Sequence, residues 1–236
     1  VGGIDVSGLR FQFRIEKDLL PKPNQGEIRV FNLAKKHQAA LEAMDKGRRV
    51  PVRLLAGYGN DLAVIFQGDL RYVRWEREGP QTVAIISSGD GLLAIRGARV
   101  SRSFAAGTPV SAVLRYLAEQ LGVGLGNAEQ AFQGQLGGQL KVYSEGTVVS
   151  GQVSDELKRI LDSVDLEYSI QNGALQILPK GGALKARAIV LSPKTGLIGS
   201  PSMNTPAGFG GSIFSQPREM TCTTKLIPDL FPGRLV

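Results

Sequence analysis

Asp61, Asp69, Glu76 and Asp90 fall on or near the ends of strand-like runs. Two carboxyls at a suitable separation suffice for glycoside hydrolysis, so a carboxylate pair is the catalytic constellation hardest to dismiss here. Acids at strand ends more commonly shape turns or stand in solvent. The single histidine, His37, lies among lysines and Gln38 on a polar helix face and is expected to be solvated. One histidine nearly excludes a Ser-His-Asp triad or a multi-histidine metal centre, and the aspartate spacing of a calcium loop is absent. Gly122-Val123-Gly124-Leu125-Gly126 is half of a dinucleotide fingerprint. A phosphate loop needs a strand before it and a helix N-terminus after it, whereas here a helical pattern precedes and a polar loop follows. The run is read as a helix cap and flexible connection, and neither a cofactor nor a metal is expected.

Four residues are candidates for an interface instead. In Arg71-Tyr72-Val73-Arg74-Trp75-Glu76-Arg77 the two-residue period sends Val73 and Trp75 to the core and leaves Tyr72 and Arg74 on the other face. Arg99 and Arg102, in Arg99-Val100-Ser101-Arg102-Ser103-Phe104, could bind phosphate or pair with an acid of a neighbouring subunit; ordinary surface pairing is the simpler reading. Gly89-Asp90-Gly91 reads as a tight turn in which Asp90 caps local N–H groups.

Composition bounds what these residues can belong to. The 236 residues are 42% hydrophobic, enough for a real core. The net charge of +7 is dispersed along the chain, and neither a recognition helix nor an aromatic-basic strand motif accompanies it. The single cysteine, Cys222, permits no intrachain disulfide, which suits assembly in a reducing cytoplasm; it is expected to be a small core residue in a strand over Met220–Thr224. The apolar runs are too short to span a bilayer, so no membrane anchoring is expected, and Val1-Gly2-Gly3-Ile4-Asp5 carries no targeting signal. A start without Met and an apolar stretch at Leu235-Val236 suggest part of a longer product.

Leu9, Phe11, Phe13 and Ile15 alternate with polar residues, the mark of a half-buried strand, and Glu27 to Leu33 supplies an antiparallel partner. Residues 35–46 have helical spacing, with Leu41 and Met44 inward and Gly47 as stop. Val50 to Ala56, Leu62 to Gln67, Asp69 to Glu78 and Thr82 to Ser88 follow as strands, with Gly68 taken as a break, which indicates a sandwich or small barrel. Thr108 as N-cap and Pro109 as first helical residue open a helix buried through Val110, Val113, Leu114, Leu117 and Leu121. A second helix starts at Ser154, with Leu157, Ile160, Leu161 and Val164 inward. Asn172-Gly173 closes a hairpin between Leu166–Ile170 and Ala174–Leu178. Strands at Ala188–Leu191 and Glu219–Leu226, separated by a Gly, Ser and Pro-rich loop over 192–217, would begin another β unit. The expected fold class is thus mainly β with an α+β insert: two β-barrel-like tube domains, at 1–105 and 181–236 (the latter incomplete), flanking a small helix–hairpin region at 106–180.

Taken together, Ile4-Asp5-Val6-Ser7-Gly8-Leu9, Glu27 to Leu33 ending in Phe31-Asn32-Leu33, Ala56-Gly57-Tyr58-Gly59, Ile65-Phe66-Gln67-Gly68-Asp69, Gly89-Asp90-Gly91 and the Arg99 to Phe104 run before Gly107-Thr108-Pro109-Val110 resemble the tail baseplate hub proteins of bacteriophages. Leu191-Ser192-Pro193-Lys194-Thr195-Gly196-Leu197 is similar to that family's entry into a second barrel. The resemblance implies a homotrimeric ring in the virion tail, assembled in the host cytoplasm, that joins a hexameric tail tube to a trimeric spike or fibre. It implies a tube-like wall made by strands near Leu9–Leu33 and Leu62–Glu78, with DNA only as a passing neighbour in the lumen. A cell-wall-degrading tail enzyme and a β-barrel nucleic-acid module are the alternatives; salt-sensitive affinity would mark the second.

Overall fold

The computed structural model describes residues 3–44, 50–132, 142–204 and 219–236. Strands β1 (Phe11–Glu16), β2 (Asn24–Phe31), β3 (Pro51–Tyr58), β4 (Asp61–Glu78) and β5 (Gln81–Asp90) form one antiparallel sheet in the order β1-β2-β5-β4-β3, with helix α1 (Lys35–Met44) between β2 and β3. Strand β1 forms where the alternation places it, but Phe13, expected on the buried face, is exposed. Phe11 and Ile15 pack on an inner face built from Ile28, Val30, Leu54, Phe66, Ala84 and Ile86, to which α1 adds Leu41. The end of that helix at Gly47 falls outside the described residues.

Gly68 does not interrupt β4. A Cβ there would sit 2.9 Å from the Gly89 carbonyl and from the Phe66 ring, so glycine serves a close approach inside a bent strand. The first half of β4 pairs with β3 and the second half with β5, with register shifts at Leu54/Leu55 and Leu70/Tyr72. These irregularities curl the sheet around Phe66, but β1 and β3 remain edges that pair with no common strand. The expected closed barrel is therefore an open, curled half-barrel.

The next elements are α2 (Leu92–Gly97), β6 (Arg99–Phe104), β7 (Thr108–Pro109), α3 (Val110–Gln120), α4 (Ala128–Gln130), β8 (Val142–Tyr143), β9 (Thr147–Gln152), α5 (Val153–Asp162), β10 (Leu166–Gln171) and β11 (Ala174–Pro179). Val113, Leu114 and Leu117 of α3, Leu157, Ile160 and Leu161 of α5, and Tyr168, Leu175 and Ile177 of the β10–β11 hairpin share one core. Asn172 and Gly173 take φ of 53° and 78°, as a tight hairpin turn requires. Two local expectations change. Thr108 and Pro109 form β7, paired with Tyr143 and Val142, and the Thr108 hydroxyl donates to Ala105 O instead of capping α3. Helix α5 begins one residue early, at Val153, and Ser154 Oγ turns to Ile95 O.

Helices and hairpin together with β6 and β9 are thus a mixed α/β body with its own core, not a small insert between barrels. Nor do the described residues contain a second barrel. Ala188–Leu191 is not a strand; Leu184 N and Ile189 N donate to Gly233 O and Leu235 O along the C-terminal segment. The later strands β12 (Leu197–Asn204) and β13 (Glu219–Thr224) pair only with each other, as an exposed two-stranded ribbon. Cys222 lies on that ribbon and is exposed, contrary to its expected place in a core. Among the described residues the fold is mixed α/β, with one open, curled five-stranded sheet and four two-stranded pairs.

Candidate interaction surface

The register of the sheet assembles its outer face. Tyr72 stands opposite Ser87, Arg74 opposite Ile85 and Glu76 opposite Val83. On the far side of β5, Glu27, Arg29 and Phe31 meet the same three residues, and Gln12 and Arg14 continue the rows onto β1. Facing residues of an antiparallel pair share a face, so Phe31, Val83 and Ile85 form a small buried apolar cluster on the side opposite the main core. Long charged side chains cover it. The Arg10 guanidinium lies 4.6 Å above the Phe31 ring, Arg29 pairs with Glu78, and Arg74 Nη2 reaches Glu76 Oε1 at 3.0 Å. Arg29 Nε is buried without an acceptor. Tyr72, 40% exposed, stands beside this seam with the Arg71 guanidinium 5.8 Å from its ring.

Both residues singled out on β4 therefore belong to one face, while Val73 and Trp75 pack against the inner core. The partners Arg29, Glu78, Arg10 and Phe31 were missed because only strand register brings them there. The face alternates arginine and glutamate, which suits a protein partner better than a polyanion. A cavity of about 230 Å³ opens at its β1 end between Gln12, Phe13, Arg14, Glu27 and Arg29.

Arg99 and Arg102 lie on another sheet, the β6–β9 pair, opposite Gln152 and Val149. The Arg102 guanidinium stacks 4.3 Å from the Tyr116 ring and 5.0 Å from the Phe104 ring, and those rings meet edge to face at 5.6 Å. Arg102 is thereby held on the α/β body by cation–π contacts. Arg99 is exposed.

The acids do not converge on a catalytic pair. Asp61 is at the exposed β3–β4 turn and Glu76 is engaged by arginines on the outer face. Asp69 and Asp90 are both buried, but Asp69 faces Gly89, the residue next to Asp90, and adjacent strand residues project from opposite faces. His37 is half-buried on α1. Among the described residues no three His, Cys, Asp or Glu side chains gather as metal ligands.

Asp90 is not a local turn cap. Its Oδ1 accepts the N–H of Gly173, 83 residues away at the tip of the β10–β11 hairpin, at 2.8 Å. Its neighbour on β2, Asn24, donates to Ile170 O at 2.7 Å and to Gln171 Oε1 at 3.0 Å, and Gln171 Nε2 donates to Asp18 O at 2.8 Å. Lys17 Nζ donates to Asn172 Oδ1 at 2.6 Å. Burial pushes the Asp90 carboxyl up to about 6 against the opposing pull of the Gly173 and Asn172 N–H groups, Lys17 and Asn24. Burial also lowers the Lys17 ammonium, with the Asp90 charge drawing it back. In the glycine-rich run, Gly122 turns the chain out of α3 at φ 67°, and Gly124 bridges to the hairpin through Gly173 O and Leu175 N. It is a helix end and a docking segment that meets the hairpin through one isolated bridge, with a helix before it.

No family model and no curated protein sequence matches the chain. Solved structures do share its fold. A tail protein from Neisseria meningitidis MC58 superposes with a TM-score of 0.50 at 12% identity over 95% of this chain and 65% of its own length. The 43 kDa tail protein of prophage MuSo2 from Shewanella oneidensis does so with a TM-score of 0.50 at 9% identity over 83% of this chain and 57% of its own. The chain thus spans less than two thirds of the length of either protein.

Proposed function

We propose that this chain is a structural tail protein that acts as a baseplate hub, a homotrimeric ring joining the tail tube to a trimeric spike or fibre. The observation that carries the reading is the open β1–β5 sheet, in which β1 and β3 are unpaired on their outer sides among the described residues and the outer face covers an apolar seam with charged side chains. Open edges and such seams favour association with further protein. The shared fold with two tail proteins supports the same role. In this reading residues 1–105 contact the tube or a neighbouring subunit through Tyr72 and Arg74 and offer Arg99 and Arg102 to a second partner, and residues 106–180 pack outside or between subunits. DNA passes without being bound, and the ring sits in the virion baseplate after assembly in the host cytoplasm. Asp61, Asp69, Glu76 and Asp90 do not converge, so these four acids lend the wall-degrading alternative no support.

The test is co-sedimentation with the tail-tube protein encoded beside it. Tyr72→Ala combined with Arg74→Glu should weaken that association about 30-fold or more, the effect of losing a contact that contributes about 2 kcal/mol or more. Lys158→Ala on the exposed side of α5 should leave it unchanged. Equal retention by both variants would remove the outer face from the interface.

A further inference from the structure

The sheet and the α/β body have separate hydrophobic cores, one centred on Phe66 and the other on α3, α5 and the hairpin. What joins them around Asp90 is largely polar: Asp90, Asn24, Lys17 and the Asp18 backbone on the sheet side, and Ile170 O, Gln171, Asn172 and Gly173 on the hairpin side. The chain crosses directly at Gly91, whose φ of 67° and approach to Ile170, 2.5 Å from a Cβ built there, leave little room for another residue. A second crossing, Leu226 to Gly233, packs Leu226 on the sheet core and gives Pro232 O to Gln176.

We propose that this junction is a proton-controlled hinge in which Asp90 is the latch, docked on the hairpin tip when neutral and loosened from it when ionised. One carboxyl oxygen, Oδ1, accepts the Gly173 N–H, whereas Oδ2 is fully buried and, among the described residues, meets no donor in hydrogen-bonding geometry, although the Asn172 N–H and the Asn24 amide also act on the carboxyl. An ionised carboxylate in that position holds half of its charge without a donor, while a protonated one removes the charge and retains the Oδ1 bond. The charged group acting on Asp90 is Lys17, from the β1–β2 connection, and Lys17 is itself half-buried and committed to Asn172. At its tip the hairpin presents amides, backbone N–H groups and Ser169, with Glu167 farther along the same face of β10, near Lys180. Asp69, the nearest acid on β4, projects from the opposite face, and the Asp18 carboxylate is engaged by Lys22 at 2.7 Å.

The sign follows from linkage. The carboxyl is pushed up to about 6 in the docked state and returns to an ordinary value near 3.9 once the junction opens to water. The docked state therefore binds more protons, so its advantage is complete below pH ~4 and falls as pH rises through ~6. Between pH 5 and 7.5 the opening equilibrium should increase about tenfold.

Hydrogen exchange at the Gly173 amide of the full chain, corrected for the intrinsic rate at each pH, reads this directly. The expected result is roughly tenfold lower protection at pH 7.5 than at pH 5. Asp90→Asn, which keeps an oxygen acceptor without the charge, should show at pH 7.5 the protection that the native chain has at pH 5. Lys17→Met, which removes the facing cation, should move the transition to higher pH. Protection that is equal at the two pH values in the native chain would overturn the hinge, as would an Asp90→Asn protein that opens more readily than the native chain at pH 7.5. The native-chain comparison stands even if a variant fails to fold.

Discussion

Phe66→Ala is expected to destabilise the sheet by about 3–5 kcal/mol. Phe66 is fully buried, and its ring lies where Cβ atoms on Gly26 and Gly68 would come within 2.9 Å of it. The two glycines have no side chains to relax into the space, so a cavity remains where the curl of β4 closes on β2. Trp75, the sole tryptophan, packs on the same core and reports it by fluorescence. In urea the Trp75 transition should move to clearly lower concentration, while helical circular dichroism, which α2 to α5 share with the sheet-side α1, shifts less. Coincident transitions displaced by the same amount would mean that the two cores unfold as one unit.

Gly126→Ala should produce the complementary pattern, with a loss of about 3 kcal/mol in the α/β body. Gly126 has φ of 52°, and a Cβ there would collide with the backbone oxygen of Leu175. A left-handed conformation costs an alanine about 1–2 kcal/mol. Relief of the collision also pulls on the bonds of Gly124 to Gly173 O and Leu175 N and of Asn127 to Ile177, each contributing about 1 kcal/mol. Helical circular dichroism should therefore melt earlier while Trp75 fluorescence is little affected. An unchanged helical midpoint would show that the 122–127 segment is not a structural dock for the hairpin.

What could be read from the sequence was what local period encodes. The inward stripe of Val110 to Leu121 and the Asn172-Gly173 turn have local physical causes and form as expected, and the alternation of Leu9 to Ile15 does make strand β1, but Phe13 is left exposed instead of joining Phe11 and Ile15 on the buried face. What failed depended on distant partners. Gly68 looks like a turn until Gly89 and Phe66 are brought against it, and Thr108-Pro109 looks like a helix opening until Tyr143 and Val142 pair with it. Strand β12 contains Gly199, Ser200 and Pro201, so its strand character comes from pairing with β13 rather than from a buried face. Strand propensity near the C-terminus and the Leu191–Leu197 resemblance point to a second barrel, but among the described residues they yield an exposed ribbon. Of the candidate site, Tyr72 and Arg74 were legible because strand period alone separates them from Val73 and Trp75. The Asp90 latch was not, since its partner Gly173 is set by the meeting of two bodies.

The central claim is an adaptor ring, and the most direct measurement is the solution mass of the purified chain by light scattering, alone and with the neighbouring tail-tube protein. A mass of three times 25.2 kDa, either alone or as the tube-dependent increment, is the predicted result. A chain that stays at 25.2 kDa under both conditions would contradict it.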